Sequence, residues 1–270
     1  MNQENHVNHV NRRTLLRTAT ALGAAGLATG APTATAHAAA ATGTAPPSGS
    51  GDRRPLRAQV VLFQGVEELD LAAPYEVLSA SGHFTERDVE VRYVALDGPG
   101  PVTAAFGTRL RADHGWAPEE ADLLVVPGGG YARRESPGVW AEIRRGALPR
   151  ALAAARRPGL TVAGLCTGVM LLSAAGLTRG RPCTTHHRAQ ADLAEQGGVL
   201  KKARVVDDGD LVTAGGVTSG LDLALWLVRR ELGVDAALGL EAMLEYEARG
   251  TVWTAQDRTA QDRTAQDRTA

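Results

Sequence analysis

The feature that most constrains the fold is a cysteine between two glycines, at the point where an apolar run meets a helical pattern. The motif is Gly164-Leu165-Cys166-Thr167-Gly168. It joins the end of a buried-strand pattern over 161–165 to the start of a helix predicted over 168–175. A buried strand that turns sharply into a helix through such a motif is typical of a nucleophile elbow, whose glycines remove side chains that would collide. We therefore expect an α/β fold with Cys166 at the end of a strand.

Three further apolar runs, at 59–63, 89–96 and 123–126, alternate with helical patterns. We expect one helix over 71–80, with Asp70 as its N-cap, and another from Ser136-Pro137 to about residue 155. Buried strands alternating with helices predict a mostly parallel sheet with helices on both faces, a three-layer sandwich. Sites in such sheets form beyond the carboxyl ends of the strands.

The chain divides into four segments by composition. Residues 1–38 carry adjacent arginines, Arg12 and Arg13, then a short apolar run and Ala36-His37-Ala38, which predicts a cleaved signal of the twin-arginine type and export from the cytoplasm. The apolar run is short and weakly hydrophobic for a membrane anchor. Residues 39–57 read as a flexible linker, 58–251 as one folded domain, and the repetitive, polar residues 252–270 as a disordered tail.

The charge and cysteine content narrow the classes of partner. The formal net charge is −1 with no basic cluster, which argues against a nucleic-acid partner. Two cysteines are too few for a disulfide scaffold, and no Cys/His spacing resembles a zinc site. We expect neither a metal nor a cofactor.

Cys166 is the strongest candidate for chemistry. The following helix N-terminus is expected to lower the pKa of the thiol, and the next backbone N–H can stabilise an oxyanion. A buried structural cysteine is the alternative. A disulfide with Cys183, otherwise expected to be buried and inert, also stays open, and it would abolish thiol chemistry.

Other candidates lie after neighbouring strands. The triple glycine that includes Gly129 and Gly130 can supply an oxyanion donor or simply form a tight turn. Carboxylates at Glu67, Glu68 and Asp70 open at the same sheet edge, and the first two are expected to be solvated or capping residues. His186 can pair with the thiolate or make a structural hydrogen bond. His187 and Arg188 are expected in an exposed loop.

Four blocks of the sequence together carry a resemblance to a known family. They are Gly65-Val-Glu-Glu-Leu-Asp-Leu-Ala-Ala-Pro-Tyr-Glu-Val-Leu78, Val125-Val-Pro-Gly-Gly-Gly130, Ala163-Gly-Leu-Cys-Thr-Gly168 and Ala214-Gly-Gly-Val-Thr-Ser-Gly-Leu-Asp-Leu-Ala-Leu-Trp226. With these blocks the sequence resembles the ThiJ/PfpI superfamily, which has the class I glutamine amidotransferase-like, flavodoxin-like fold. Within that superfamily, it most resembles the isonitrile hydratases and the sensor-like domains of AraC-type regulators.

The resemblance implies a role for each matching residue. Cys166 matches the nucleophile and Asp70 the acid that touches it. Gly129 and Thr167 match the backbone oxyanion donors, and His186 matches a histidine that lines the pocket. The resemblance also implies a homodimer.

Departures from the pattern exclude some branches. A glutaminase would need a downstream His-x-Glu pair, and the protease-like branch has His where this chain has Thr167. An AraC-type regulator would need a helix-turn-helix region after the domain. We therefore expect a cysteine-dependent enzyme that adds water to a small electrophilic carbon, with conversion of an isonitrile to an N-substituted formamide as the leading reaction. The alternatives are a non-catalytic or stress-protective protein, in which a low-pKa Cys166 senses oxidants or binds a ligand, and glyoxalase-like activity.

Overall fold

The structure is a computed structural model that describes residues 54–255. The expected signal, residues 39–53 of the expected linker and residues 256–270 of the expected tail lie outside this range. Within it, no helix is long and apolar enough to cross a membrane.

Twelve strands are found among the described residues. They are β1 Leu56–Leu62, β2 Val89–Ala95, β3 Gly100–Thr103, β4 Arg109–Ala112, β5 His114–Gly115, β6 Leu123–Val126, β7 Thr161–Leu165, β8 Pro182–Cys183, β9 Val199–Leu200, β10 Val205–Asp207, β11 Leu211–Ala214 and β12 Val252–Thr254. Eight form the central sheet, in the order β12-β10-β11-β7-β6-β1-β2-β5, while β3 pairs with β4 and β8 with β9.

The central sheet is parallel from β11 to β5, and only the β10–β11 pair within it is antiparallel. The middle strands consist of short runs of Val, Leu and Ala that are buried almost throughout, as parallel strands covered on both faces must be. Strands β1, β6, β7 and β11 lie next to one another, so their carboxyl ends meet at one edge.

Seven helices accompany the described strands. They are α1 Glu68–Ser81, α2 Val139–Arg145, α3 Ala147–Ala154, α4 Val169–Ala174, α5 Gln190–Glu195, α6 Ser219–Leu232 and α7 Val234–Leu244. Helices α1, α6 and α7 pack together, and α2, α3 and α4 form a second group. The β1→β2 and β6→β7 connections run in opposite directions along the sheet, so right-handed crossovers place α1 and the α2–α3 pair on opposite faces. The expected three-layer α/β sandwich is confirmed.

Two expected helix starts are wrong. Asp70 is not an N-cap: α1 begins at Glu68, and the Glu67 side chain caps it by accepting the Asp70 N–H at 2.9 Å. The helix expected from Ser136 to residue 155 begins only after Gly138 and breaks at Gly146, whose φ of 71° ends α2 in the left-handed region that glycine tolerates.

The sheet extends beyond the domain boundaries expected from composition. Leu56 and Arg57 belong to β1 and pair with β2, although they fall in the expected linker. Val252–Thr254 forms β12 on β10, although it falls in the expected tail, and Trp253 is buried there. Strand pairing therefore places residues 56–57 and 252–254 inside the folded domain.

Candidate active site

Cys166 occupies the turn between β7 and α4 in a strained conformation, with φ at 53°. Its N–H donates to the Gly215 carbonyl at 2.8 Å, and its own carbonyl accepts the Thr185 hydroxyl at 2.7 Å. These bonds hold a non-glycine residue in the left-handed region, as nucleophile elbows require. The side chain is 5% exposed, so the sulfur lies at the bottom of a site.

Gly168 permits the elbow to approach the neighbouring strand. A methyl group at this position would collide with the backbone carbonyl oxygens of Val126, the last residue of β6, and of Pro127, which follows it. Since both obstacles are backbone atoms, no side-chain adjustment would relieve the collision. The second glycine of the motif is therefore required by packing between two strand ends.

Asp70 is fully buried beside Cys166, from the first turn of α1. Its Oδ2 accepts the Gly128 N–H at 3.0 Å, whereas Oδ1 has no hydrogen-bond partner within residues 54–255. Burial raises the pKa of Asp70 well above its ordinary value, and the negative charge of Glu67 raises it further. The carboxyl group is therefore suited to hold a proton, with Oδ1 available to carry it.

The thiol and the carboxyl oppose each other's ionisation. Burial, and then the negative charge of Asp70, raise the pKa of Cys166 to about 12, although backbone N–H groups of Val217 and Thr167 favour the thiolate. The N–H of Thr167, at the start of the following helical turn, lowers the pKa of the thiol as expected, but burial beside a carboxylate outweighs it. The expectation that Cys166 has a low pKa is therefore wrong. The pair keeps at least one proton at neutral pH.

Val217 is a further site residue, which was not predicted from the sequence. It lies in the loop between β11 and α6, has φ at 40°, and directs its N–H to the sulfur of Cys166. A β-branched residue in the left-handed region is strained, so this loop is held by its surroundings. The pair Gly215-Gly216 after a buried strand was the available signal for a loop that approaches a ligand or a reactive group closely.

Thr167 links the elbow to the triple glycine. Its Oγ1 accepts the Gly129 N–H at 3.1 Å, so the Gly129 donor is already engaged within the protein. The expected role of Gly129 as a free oxyanion donor is therefore not seen here. The N–H groups that favour a negative sulfur are those of Thr167 and Val217.

His186 lines the same pocket as Cys166, as expected, but the geometry does not suit it as a base through Nδ1. That atom accepts the Arg188 N–H at 3.2 Å, so the neutral ring carries its proton on Nε2. Burial lowers the pKa of His186, and the positive charges of His187 and Arg188 act in the same direction. The ring also fills the space that a side chain at residue 216 would need.

The pocket above Cys166 has a volume of about 350 Å³. Its walls combine apolar and small residues with a few charged side chains. The lining residues are Glu67, Ala105, Phe106, Gly129, Gly130, Tyr131, Ala132, Arg133, Cys166, Thr167, His186, Arg188 and Val217. A cavity of this size, with a nucleophile at its buried end, suits a small organic ligand.

Glu68 and Cys183 lie outside this pocket. Glu68 accepts backbone N–H groups from the loop that follows β3, and Cys183 is buried in β8. Both cysteines are free, so the disulfide with Cys166 is not formed. Within residues 54–255 no cluster of three or more His, Cys, Asp or Glu side chains could hold a metal ion.

Comparisons with known proteins agree with this architecture. The chain is 36% identical over 192 residues to an isonitrile hydratase from Pseudomonas putida, covering 71% of this chain and 78% of the relative. It is 32% identical over 154 residues to a deglycase from Pyrococcus horikoshii, covering 55% of this chain and 82% of that protein.

A solved structure shares the fold. It is an AraC family transcriptional regulator from Pseudomonas putida, with a TM-score of 0.59 and 27% sequence identity, and the match covers 70% of this chain and all of that chain. The family model described as DJ-1/PfpI matches residues 56–230, which include Asp70, the triple glycine, Cys166 and Val217. The chain therefore belongs to the DJ-1/PfpI family, also called ThiJ/PfpI.

Proposed function

We propose that this protein hydrates isonitriles to N-substituted formamides, with Cys166 as the nucleophile and Asp70 as the proton donor and acceptor. The observation that carries the proposal is the buried pair: a thiol beside a carboxyl group whose Oδ1 is unpaired and whose pKa is raised. Similarity to an isonitrile hydratase over most of both chains supports the same chemistry.

The first step uses the proton that the pair holds. The terminal carbon of an isonitrile accepts a nucleophile and a proton at the same atom. The sulfur of Cys166 bonds to that carbon and the proton follows it through Asp70, which gives a thioimidate, R–N=CH–S, and leaves Asp70 as a carboxylate. The same products result whichever group of the pair held the proton at the start.

The second step uses the Asp70 carboxylate as a base. Asp70 takes a proton from water as the water oxygen attacks the thioimidate carbon, and then passes that proton to the substrate nitrogen. The resulting tetrahedral intermediate expels the sulfur, and its hydroxyl proton returns to the pair as the formamide leaves. The N–H groups of Thr167 and Val217 stabilise the negative sulfur as it departs.

The direct test is turnover of a simple alkyl isonitrile, with formamide measured by mass spectrometry. We expect Cys166→Ala to abolish turnover and Asp70→Asn to reduce it by about 10²-fold or more. Glu142→Gln, in α2 and outside the pocket, is the matched control and should retain activity. No turnover by the wild type, or full activity in both site variants, would contradict the proposal.

A second candidate is chemistry on reactive aldehydes, which the similarity to a deglycase favours. The same thiol and carboxyl groups would serve an attack on a carbonyl carbon. Consumption of methylglyoxal by the wild type, its loss in the Cys166→Ala variant, and the absence of isonitrile turnover would together favour this function. Oxidant sensing fits less well, because burial raises the pKa of Cys166 and so suppresses the thiolate that peroxide attacks.

We also propose that the protein is exported and acts as a homodimer on a small molecule. Arg12, Arg13 and the Ala36-His37-Ala38 pattern support export by a twin-arginine-type signal that is then removed, leaving no membrane anchor. The family resemblance supports the dimer, and light scattering of the purified protein tests it. The absence of a nucleic-acid partner stays a prediction from the charge pattern.

A further inference from the structure

Two guanidinium groups line the outer part of the Cys166 pocket. Arg133 lies in the loop that follows β6, and Arg188 lies in the 3₁₀ helix His187–Ala189. Both residues are exposed, whereas the sulfur of Cys166 is almost fully buried. The pocket therefore has its reactive atom at the inner end and two permanent positive charges at its mouth.

Neither guanidinium is neutralised by the described part of the chain. Arg134, next to Arg133, pairs with Asp192, but no salt bridge within residues 54–255 involves Arg133 or Arg188. Their charges are therefore available to a ligand.

Glu67 is the one carboxylate among the described lining residues, and its Oε2 accepts the Asp70 N–H at 2.9 Å. With Arg133 and Arg188, the lining therefore carries more positive than negative charge. The His186 ring favours its neutral form, because burial and the nearby cations lower its pKa. Tyr131 and Val217, which are half-buried, add apolar surface to the pocket walls, whereas Phe106 is exposed. A ligand that fits this distribution reacts at one end, is compact and apolar in the middle, and is anionic at the other end.

We propose that the pocket selects small isonitriles whose far end carries a carboxylate, which Arg133 and Arg188 bind while the terminal carbon reaches Cys166. The identity of the reactive end rests on the proposed function, but recognition of the anion does not. The planar fork of a guanidinium matches a carboxylate, and two cations at the mouth of a cleft attract anions from solution.

The first test compares isocyanoacetate with its neutral methyl ester as substrates. The double variant Arg133→Gln/Arg188→Gln should lower kcat/KM for isocyanoacetate, relative to the ester, by about tenfold, mainly through KM. The control Arg229→Gln changes an exposed arginine of α6 that does not line the pocket, and it should leave the ratio unchanged.

The second test needs no isonitrile turnover. Iodoacetate and iodoacetamide have nearly the same shape. With each, the Cys166 sulfur bonds to the CH2 carbon and iodide leaves, but only iodoacetate is anionic. Peptide mass spectrometry gives the alkylation rate at Cys166 for both reagents. We expect the iodoacetate/iodoacetamide rate ratio to fall by about fivefold in the double variant and, in the wild type, at high salt.

The two tests separate the inference from the proposed function. If isonitriles are not turned over but the alkylation ratio depends on the two arginines, the proposed function is contradicted and anion recognition is supported. An alkylation ratio that is the same in the wild type, the double variant and Arg229→Gln overturns the inference, whether or not isonitriles are hydrated.

Discussion

The backbone N–H of Gly128 donates to Oδ2 of Asp70 at 3.0 Å, and this bond joins the end of β6 to the first turn of α1. It also leaves Oδ1 of the same carboxyl without a partner beside the sulfur of Cys166. In the proposed mechanism, this backbone bond leaves Oδ1 as the oxygen that transfers the proton. The state of this carboxyl group controls both the reactivity of the thiol and the stability of the domain.

Replacing Asp70 by Asn should make the thiol ionise at lower pH. The negative charge of Asp70 is a cause of the raised pKa of Cys166, about 12, and the amide removes it while burial remains. We expect the pH profile of Cys166 alkylation by iodoacetamide to move to lower pH, even though isonitrile turnover falls. An unchanged profile, or one moved to higher pH, would show that Asp70 does not oppose ionisation of the thiol.

The same variant should change the pH dependence of stability. Because the pKa of Asp70 is raised in the folded state, the folded protein binds this proton more tightly than the unfolded chain does. The wild type therefore loses stability as pH rises from the unfolded pKa of about 4 towards the folded pKa. The free energy of unfolding in urea should be measured for both proteins across this pH range. The value for Asp70→Asn minus the value for the wild type should increase as pH rises.

An exposed carboxylate provides the control for that experiment. Asp113 follows β4 at the surface, and Asp113→Asn should show no comparable growth with pH. A stability difference for Asp70→Asn that is flat with pH, or that shrinks as pH rises, would contradict the raised pKa.

Removing the Thr167 hydroxyl should leave a buried donor unpaired. Its Oγ1 accepts the Gly129 N–H at 3.1 Å, and both residues are buried. Thr167→Val keeps the shape but orphans that N–H, so we expect a loss of about 1–3 kcal/mol in the free energy of unfolding, measured in urea. Thr167→Ser retains the hydroxyl and should retain most of the stability. Equal losses in the two variants would show that the methyl group, and not the hydrogen bond, matters.

Adding a methyl group at Gly168 should damage the elbow. The new atom would meet the backbone carbonyls of Val126 and Pro127, which cannot rotate away. We expect Gly168→Ala to cost about 2–4 kcal/mol of unfolding free energy and to reduce the amount of soluble protein. Gly100→Ala, where no atom lies within 4 Å of the new methyl, should stay within about 0.5 kcal/mol of the wild type. Similar stabilities for both variants would refute the packing requirement.

Export should depend on the paired arginines. Arg12→Lys/Arg13→Lys conserves the charge of the segment but removes the twin-arginine pattern. We expect the variant to remain in the cytoplasm of the producing cell, and the exported wild type to begin at Ala39 by intact-mass spectrometry. Normal export of the double lysine variant would contradict a twin-arginine route.

The sequence was sufficient for the layers of the fold because its signals are local. Runs such as 123–126 and 161–165 are too apolar for anything but buried strands, and the elbow glycines mark the turn after β7. Helix ends were harder to predict, because Gly138 and Gly146 compete with the more familiar signal Ser136-Pro137. The buried pair of Cys166 and Asp70 was predicted through the elbow and the resemblance.

The remaining parts of the site depend on contacts between distant segments. Val217 reaches the sulfur because β11 lies next to β7. No residue near 217 indicates that these two strands are paired. Gly129 loses its free donor to Thr167 only when β6 and β7 are brought together. The raised pKa of Cys166 likewise follows from burial, whereas the motif alone indicated only the helix N-terminus.

The last described strand, β12, is the edge of the central sheet and keeps β10 paired. β12 covers the outer side of β10, a strand whose three residues are all buried. A chain cut after residue 251, where composition places the domain end, would leave β10 with open backbone donors and acceptors that another molecule can pair with. Recombinant versions of the domain should therefore retain Val252–Thr254, because a shorter chain exposes β10 and favours aggregation even with Cys166 and Asp70 intact.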